Sequence, residues 1–217
     1  MTLFSRLKQA SAPEWQSYVQ HAFVEQMGQG TLLKPCFQHY LVQDYLFLIQ
    51  FARAYALGVY KSQTTADMRA SMEGVKAILD VELDLHVELC ASWGMSREQV
   101  ENAEEAVQTM AYTRFVLEAG MAGDLLDLQV ALAPCIIGYA EIGKQLAGSP
   151  VEDNTYQRWI SEYAGEPYQA LAREFENWME QVSEVYLTEA RFERLLALFQ
   201  KATVLEADFW QMGLDAA

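Results

Sequence analysis

Residue types that mark several classes of protein are scarce in this sequence. The 217 residues include three cysteines, an odd number in no metal-like spacing, which argues against a disulfide scaffold and favours a reducing, cytoplasmic location. Basic residues number 15 against 30 acidic ones, and the net charge of -15 argues against nucleic acid or an anionic membrane as a partner. These shortages predict a cytoplasmic protein that binds neither nucleic acids nor membranes.

Motifs that identify common catalytic sites are also absent. The chain contains no Gly-x-Gly-x-x-Gly, no phosphate-binding loop, no Gly-x-Ser-x-Gly turn and no Cys-x-x-Cys pair. The N-terminus lacks the apolar core of a signal peptide, and no uninterrupted run reaches the roughly 18 apolar residues of a membrane span. The hydrophobic share of 52% is therefore expected to form a protein interior.

Helix signals recur along the chain with almost no strand signal. Asn-Gly and Asp-Gly dipeptides do not occur and period-two alternation is scarce, so we predict an all-α fold with residues 1–217 in a single domain. Ser11 and Pro13 indicate a helix start, and Ser96 with Gln99 has the spacing of a capping box. The predicted helices cover about 12–28, 35–60, 65–94, 97–118 with a break before 112, 124–147, 155–163, 168–186 and 189–213.

Cys135 follows a proline in an apolar segment and precedes Tyr139 by four residues. The proline removes a backbone hydrogen bond beside the thiol, and the four-residue spacing places the thiol and the phenol on one helix face. This arrangement favours a reactive site. A core cysteine accounts for the same residues, because cysteine is among the most buried residue types, and on these residues alone it is the simpler interpretation.

Two carboxyl groups fall in otherwise apolar helix strips. Asp44 stands among the aromatic residues of a strip from Tyr40 to Tyr55, and Glu206 lies in the apolar strip of the last helix. Because an isolated charge is costly to bury, Asp44 either is a structural residue capped by a tyrosine or faces a flat, nitrogen-rich ring. Glu206 either shuttles protons or belongs to a buried ion pair.

Glu82 and His86 are four residues apart on a third apolar strip. They are a partial match to a metal site, but a di-iron site in a helical bundle needs several carboxylates and a Glu-x-x-His pair on each of two helices. Here the spacing is one residue too long, and neither His21 nor His39 has an acid three residues before it. We therefore expect a structural hydrogen bond between Glu82 and His86 and no bound metal.

A set of short segments keeps a distinctive order and spacing over nearly the whole chain. The segments are Gly30-Thr31-Leu32, Phe37-x-x-Tyr40, Gln43-Asp44, Glu82-x-x-x-His86, Ala111-Tyr112-Thr113, Pro134-Cys135-x-x-x-Tyr139-x-Glu141-Ile142-Gly143, Tyr156-x-x-Trp159-Ile160-x-x-Tyr163 and Glu206-x-x-Phe209-Trp210. Together they resemble the thiaminase II (TenA) family, whose fold is the haem-oxygenase-like helical bundle.

The resemblance implies an enzyme of thiamin salvage that needs no cofactor. Its reaction would convert 4-amino-5-aminomethyl-2-methylpyrimidine to 4-amino-5-hydroxymethyl-2-methylpyrimidine and ammonia, and thiamin itself would be a further substrate. The resemblance also implies a homotetramer. Carried over residue by residue, it makes Cys135 the nucleophile and Glu206 the proton shuttle. The residues that would bind the pyrimidine ring or support the pocket from behind are Asp44, Phe47, Tyr112, Tyr139, Tyr163, Glu82 and His86.

Phe47 departs from the family pattern, because members of the family carry a tyrosine three residues after the Asp. Phenylalanine keeps the stacking surface and lacks the hydroxyl, which puts the rate and the preferred leaving group in question. Two alternatives stay open. One is a non-catalytic protein that binds pyrimidines or regulates, for which Phe47 marks lost activity. The other is a metal-dependent oxidase on the same fold, with Glu82 and His86 as ligands.

Overall fold

The structure is a computed structural model that describes the backbone of residues 1–217 and every side chain except those of Val81 and Leu85. The regular elements of this backbone are all helical, which confirms the predicted all-α fold. In chain order they are α1 (Leu3–Ala10), α2 (Ala12–Val19), α3 (Ala22–Gly28), α4 (Lys34–Lys61), α5 (Thr65–Ala77), a π-helical segment (Ile78–Glu82), α6 (Leu83–Ser92), α7 (Arg97–Glu101), α8 (Val107–Ala122), α9 (Leu125–Ala147), α10 (Gln157–Ala164), α11 (Glu166–Tyr186) and α12 (Glu189–Leu214).

The long helices begin and end close to their predicted positions, whereas the N-terminal prediction is wrong. The predicted helix from Ser11 to Gly28 is divided at Gln20, because the side chain of His21 accepts a hydrogen bond from the backbone N–H of Phe23 and starts α3. A further helix, α1, precedes it, and the Ser11 side chain makes no capping bond. The capping box of Ser96 forms as predicted.

The chain divides into two compact units. The first contains residues 1–32 and 129–211, and the second contains residues 33–128 and 212–217. A single domain of residues 1–217 stays a prediction.

The second unit is built around α4. The helices α5, α6, α7 and α8 all pack against it. The sequence of α4 is apolar over most of the helix surface, which predicts a central helix, and the contacts from several directions agree with this prediction. Its large buried side chains include Phe37, Tyr40, Leu41, Tyr45, Phe47 and Phe51.

The first unit contains α9 from Gln129 onward, the part of the helix that carries Cys135. This helix has the length and apolarity of a membrane span, but 83% of its most apolar window is buried inside the protein, as in the core helix of a soluble protein. It continues through Pro134, whose carbonyl accepts a hydrogen bond from the Tyr18 hydroxyl at 3.2 Å. Elsewhere in this unit α1 packs against α2 and α11, and α10 packs against α11.

The backbones of α9 and α10 approach closely at Gly143. A Cβ atom at this position would lie 2.5 Å from the carbonyl carbon of Tyr163 and 2.7 Å from the amide nitrogen of Ala164. Both are backbone atoms, so no side-chain rotation relieves the overlap. The close approach therefore requires glycine, and it fixes the position of the Tyr163 backbone relative to α9.

Replacing Gly143 with alanine should lower the free energy of unfolding by about 1–3 kcal/mol, because the new methyl group forces α9 and α10 apart. Gly148→Ala is the matched control, since its nearest neighbour to a new Cβ is 3.3 Å away and the position is exposed. Urea unfolding followed by circular dichroism measures both. Equal stability of the two variants would contradict the close helix contact.

Candidate active site

Cys135 differs from the other two cysteines in its exposure. Cys36 and Cys90 are buried, whereas Cys135 is partly exposed. Burial raises the pKa of the Cys90 thiol to about 12 and also raises that of Cys36, so both stay protonated. The core-cysteine interpretation therefore fits Cys36 and Cys90, and Cys135 is the thiol that an incoming molecule can reach.

An aromatic cluster in the first unit surrounds the face of α9 that carries Cys135. The ring of Tyr139, one turn after Cys135, lies 5.0 Å from the ring of Tyr163 on α10 and 5.2 Å from that of Trp210 on α12. The rings of Trp159 and Tyr163 lie 4.4 Å apart. Tyr139 and Tyr163, both predicted site residues, are thus brought into contact.

Glu206 lies one turn before Trp210 on α12 and is 1% exposed. Since residues four apart share a helix face, the contact between Trp210 and Tyr139 turns the Glu206 face of α12 toward the Cys135 face of α9. The prediction that Glu206 points inward is confirmed. A buried carboxyl group on a helix that packs against α9 is a candidate for proton transfer to a molecule bound near Cys135.

Asp44, in the second unit, is 5% exposed and is held by groups on two helices. The Tyr40 hydroxyl donates to its Oδ2 atom at 3.3 Å, and His86 Nδ1 lies 3.6 Å from the same oxygen. Burial raises the pKa of Asp44 to about 7, against a smaller lowering from the Tyr40 hydrogen bond. Burial also lowers the pKa of His86 to about 4. The separation of Nδ1 and Oδ2 suits an ion pair, but with these pKa values both groups are neutral near pH 6, and desolvation at this depth favours the neutral pair.

Phe47 and Tyr112 meet near Asp44 in the same unit. Their ring centroids are 5.1 Å apart, and the ring centroid of Phe51 lies 5.2 Å from that of Phe47. Phe47 follows Asp44 by three residues, so the stacking surface and the carboxyl group share one face of α4. This set can hold a flat ring that carries a hydrogen-bond donor.

The sequence reasoning gave no role to Gln43, which positions this set of residues. Its Nε2 donates to the carbonyl of Glu104, and its Oε1 accepts from the backbone N–H of Ala106 and, at 2.7 Å, from the Thr109 hydroxyl. These bonds tie α4 to the start of α8, which carries Tyr112. A glutamine on a helix that is apolar on every side was the signal that could have identified it.

The predicted hydrogen bond between Glu82 and His86 is wrong. His86 Nε2 lies 2.6 Å from the Leu41 carbonyl, and Nδ1 faces Asp44 instead. The reason is the packing of His86 against α4, where the Leu41 carbonyl binds Nε2 and thereby orients Nδ1 toward Asp44. Leu79, which lies in the π-helical segment before Glu82, is 49% exposed.

Metal ligation by Glu82 and His86 belongs to the alternative of a metal-dependent oxidase. Since Nε2 bonds the Leu41 carbonyl, only Nδ1 of His86 is left to bind another group, and it faces Asp44. Within the part of the chain whose side chains are described, no three His, Cys, Asp or Glu residues converge on a position suited to a metal ion.

Comparison with known proteins gives a consistent assignment. The description of the TENA/THI-4/PQQC family matches residues 8–216. A solved structure of a TenA family transcription regulator from Silicibacter sp. TM1040 is 44% identical, covers 98% of this chain and 96% of its own, and superposes with a TM-score of 0.95. An aminopyrimidine aminohydrolase from Halalkalibacterium halodurans is 36% identical over 99% of this chain and 96% of its own.

A more distant structure supports the fold alone. A domain of unknown function with a heme oxygenase-like fold, from Shewanella denitrificans, is 16% identical and has a TM-score of 0.76, with 98% of this chain and 92% of its own covered. The predicted haem-oxygenase-like architecture is therefore confirmed.

The raised pKa of Asp44 predicts how stability depends on pH. The unfolded carboxyl group loses its proton near pH 3.8 and the folded one near pH 7, so the folded state binds more protons between these values. The free energy of unfolding of the wild type, relative to that of Asp44→Asn, should therefore fall as pH rises from about 4 to about 7, by up to about 1.4 kcal/mol per pH unit, and level off above. The effect of His86 has the opposite sign and is common to both proteins.

Urea unfolding at a series of pH values measures this difference. Asp208→Asn, which removes an exposed acid, is the control and should show no comparable slope. A wild-type stability that rose with pH relative to Asp44→Asn would contradict a raised pKa.

Proposed function

This chain belongs to the TENA/THI-4/PQQC family, and we propose that it is an aminopyrimidine aminohydrolase of thiamin salvage. The substrate is 4-amino-5-aminomethyl-2-methylpyrimidine, and the products are 4-amino-5-hydroxymethyl-2-methylpyrimidine and ammonia. The observation that carries the proposal is the partly exposed thiol of Cys135 on a helix face turned toward the buried Glu206. The aminopyrimidine aminohydrolase of H. halodurans, 36% identical over nearly the whole chain, supports it.

The proposed reaction begins with addition of Cys135 to the ring. A bond forms between sulfur and a ring carbon, the ring loses its aromaticity, and the bond between the methylene carbon and the amine breaks as Glu206 donates a proton to the departing nitrogen. Water then adds to the methylene carbon and returns a proton to Glu206. The sulfur–carbon bond breaks, the aromatic ring reforms, and the thiolate is restored. Covalent addition replaces one difficult step with easier ones.

The other site residues bind and orient the pyrimidine ring in this proposal. Asp44 hydrogen-bonds the ring, Phe47 provides a stacking surface beside Tyr112, and Tyr139 and Tyr163 orient the ring and support the thiol. Because Phe47 packs against Tyr112 at 5.1 Å, the stacking surface is kept without the hydroxyl that family members carry there. We infer that Phe47 tunes the rate or the leaving group and leaves ring binding intact.

A regulatory role is the second candidate. The observation in its favour is the description of the 44% identical Silicibacter structure as a TenA family transcription regulator. A regulator would bind the aminopyrimidine without releasing ammonia, so one assay distinguishes the two functions.

Cys135→Ser should lower kcat/KM for ammonia release by at least about 1,000-fold, because serine at neutral pH is a far weaker nucleophile than a thiolate. Binding of the hydroxymethyl product, measured by calorimetry, should persist in this variant and show that the pocket is intact. Cys36→Ser is the matched control, because serine can keep the bond that the Cys36 thiol donates to the Leu214 carbonyl. Ammonia release by Cys135→Ser at the wild-type rate would overturn the mechanism, and tight binding without release by the wild type would favour the regulatory role.

We also propose a cytoplasmic homotetramer. Exposed apolar side chains at Met68, Met72 and Leu79, on α5 and the segment after it, provide surface that subunit contacts can cover. Light scattering should then give about four times the chain mass of 24.6 kDa. A monomeric mass at micromolar concentration would contradict the tetramer.

A further inference from the structure

The hydrogen-bond partner of His86 fixes which of its ring nitrogens carries a hydrogen. Nε2 lies 2.6 Å from the carbonyl oxygen of Leu41, and a carbonyl oxygen can only accept. Nε2 therefore donates whether the ring is neutral or charged, and Nδ1 is the nitrogen that titrates. In the neutral ring Nδ1 is a pure acceptor, and it points at Asp44 Oδ2 from 3.6 Å.

The two oxygens of Asp44 have different surroundings. The Tyr40 hydroxyl and His86 Nδ1 both contact the same carboxyl oxygen, Oδ2. Within the described part of the chain Oδ1 has no such partner, although the residue is 5% exposed. The carboxyl group thus has one oxygen held by the protein and one left for a ligand.

From this arrangement we propose that His86 is a positioning residue that keeps the proton of Asp44 on Oδ2, so that Oδ1 meets a ligand only as an acceptor. The inference rests on the proposed function, in which Asp44 binds the pyrimidine ring. An acceptor at Oδ1 pairs with the exocyclic amino group of an aminopyrimidine. It repels a ring that carries an acceptor at the same position, since two acceptors leave a buried polar atom unpaired. His86 therefore determines specificity for the 4-amino group by acting through Asp44.

The geometry is compatible with proton retention on Oδ2. The distance of 3.6 Å is slightly too long for a hydrogen bond, and an approach of about 0.4 Å, typical of a site that tightens around its ligand, brings Nδ1 within range of an Oδ2 hydroxyl. Without an acceptor at Nδ1, the proton of a neutral Asp44 is free to move to Oδ1 and to donate. The carboxyl group could then bind a ring that presents either a donor or an acceptor at this position.

The titratable groups near the pair do not offer a competing charge. On α4 the Tyr40 hydroxyl is bonded to Asp44, and on α6 Cys90 is close enough for the Asp44 charge to contribute to its raised pKa of about 12, so it stays a neutral thiol. The ring of Tyr45 lies 6.4 Å from the His86 ring, and burial raises the pKa of Tyr45.

Charged groups that act on Tyr45 from neighbouring helices are Glu101 and Arg97 of α7 and Asp84 of α6. On α8, Tyr112 faces Phe47, and the α5 surface that meets α4 places Gly74 against Tyr55.

Two substitutions separate the roles of the two ring nitrogens. His86→Gln places an amide N–H near the position of Nε2, which preserves donation to Leu41 and removes the acceptor that faces Asp44. His86→Asn places an amide oxygen near the position of Nδ1, which preserves that acceptor and removes the bond to Leu41. If His86 is purely structural, His86→Gln should keep more of the wild-type preference between rings than His86→Asn does. If His86 determines specificity, His86→Asn should keep more of that preference.

The test compares binding of two rings by calorimetry at pH 6 and pH 8.5. One ring is 4-amino-5-hydroxymethyl-2-methylpyrimidine, and the other carries a 4-methoxy group, which presents only acceptors and cannot tautomerise. At pH 6 the wild type and His86→Asn should prefer the amino ring by at least about 100-fold. In His86→Gln that preference should fall at least about tenfold, through a gain in methoxy binding. At pH 8.5, where Asp44 is ionised in all three proteins, the preferences should converge.

The outcomes distinguish this inference from the proposed function. Suppose that the wild type binds the amino ring. If His86→Gln then keeps the full preference for the amino ring at pH 6, the role of His86 is overturned and the proposed function stands. The same holds if His86→Asn loses as much of that preference as His86→Gln does. A wild type that binds neither ring overturns the proposed function and this inference with it.

Discussion

The burial of the Asp44 carboxyl group is the constraint on which the candidate site in the second unit depends. Removing an ionised carboxylate from water costs several kcal/mol unless it is neutralised or paired. Here burial raises the pKa of the acid to about 7, so that it is largely neutral below that pH, and the groups beside it, the Tyr40 hydroxyl and a neutral His86, are uncharged. The position of His86 in turn depends on the Leu41 carbonyl of α4. With a pKa of about 7, the buried acid is present in both the neutral and the ionised form near neutral pH.

The same dependence on solvent separates the three cysteines. Cys90 is desolvated and its pKa of about 12 keeps it a thiol, whereas Cys135 keeps partial exposure on the face of α9 that carries Tyr139. The aromatic ring of Tyr139 on this face lies 5.0 Å from that of Tyr163 and 5.2 Å from that of Trp210. Two of the helices that carry these rings, α9 and α10, approach closely at Gly143, where backbone meets backbone. Chemistry at Cys135 therefore depends on helix packing that keeps one thiol reachable and surrounds it with rings.

Local signals in the sequence predicted most of the fold. Helices α4, α11 and α12 begin and end within two residues of the predicted bounds, because caps and proline or glycine breaks are encoded by neighbouring residues. The inward faces of Asp44 and Glu206 followed from helical spacing. The division at His21 was missed because it depends on a histidine that acts as a cap, a residue without a strong preference for that position.

The partners of the site residues were less predictable. The π-helical segment Ile78–Glu82 has a wider turn than an α-helix and so changes the side-chain directions within it. Its residue types do not predict this wider turn. Helical spacing predicted Glu82 as the partner of His86, whereas the partners are Leu41 and Asp44, some 40 positions away in sequence, because they depend on the packing of α6 against α4. The roles of Tyr112, Tyr139 and Tyr163 came from family resemblance, since a tyrosine in a helix strip is by itself compatible with an ordinary core.

The most direct test of the account is mass spectrometry of the protein quenched with acid during turnover of 4-amino-5-aminomethyl-2-methylpyrimidine. If Cys135 is the nucleophile, the protein should carry a covalent increment equal to the mass of the substrate less ammonia, located on the peptide that contains Cys135. An increment on the peptide of Cys36 or Cys90, or ammonia release with no covalent species at any time, would contradict the central claim that Cys135 is the nucleophile.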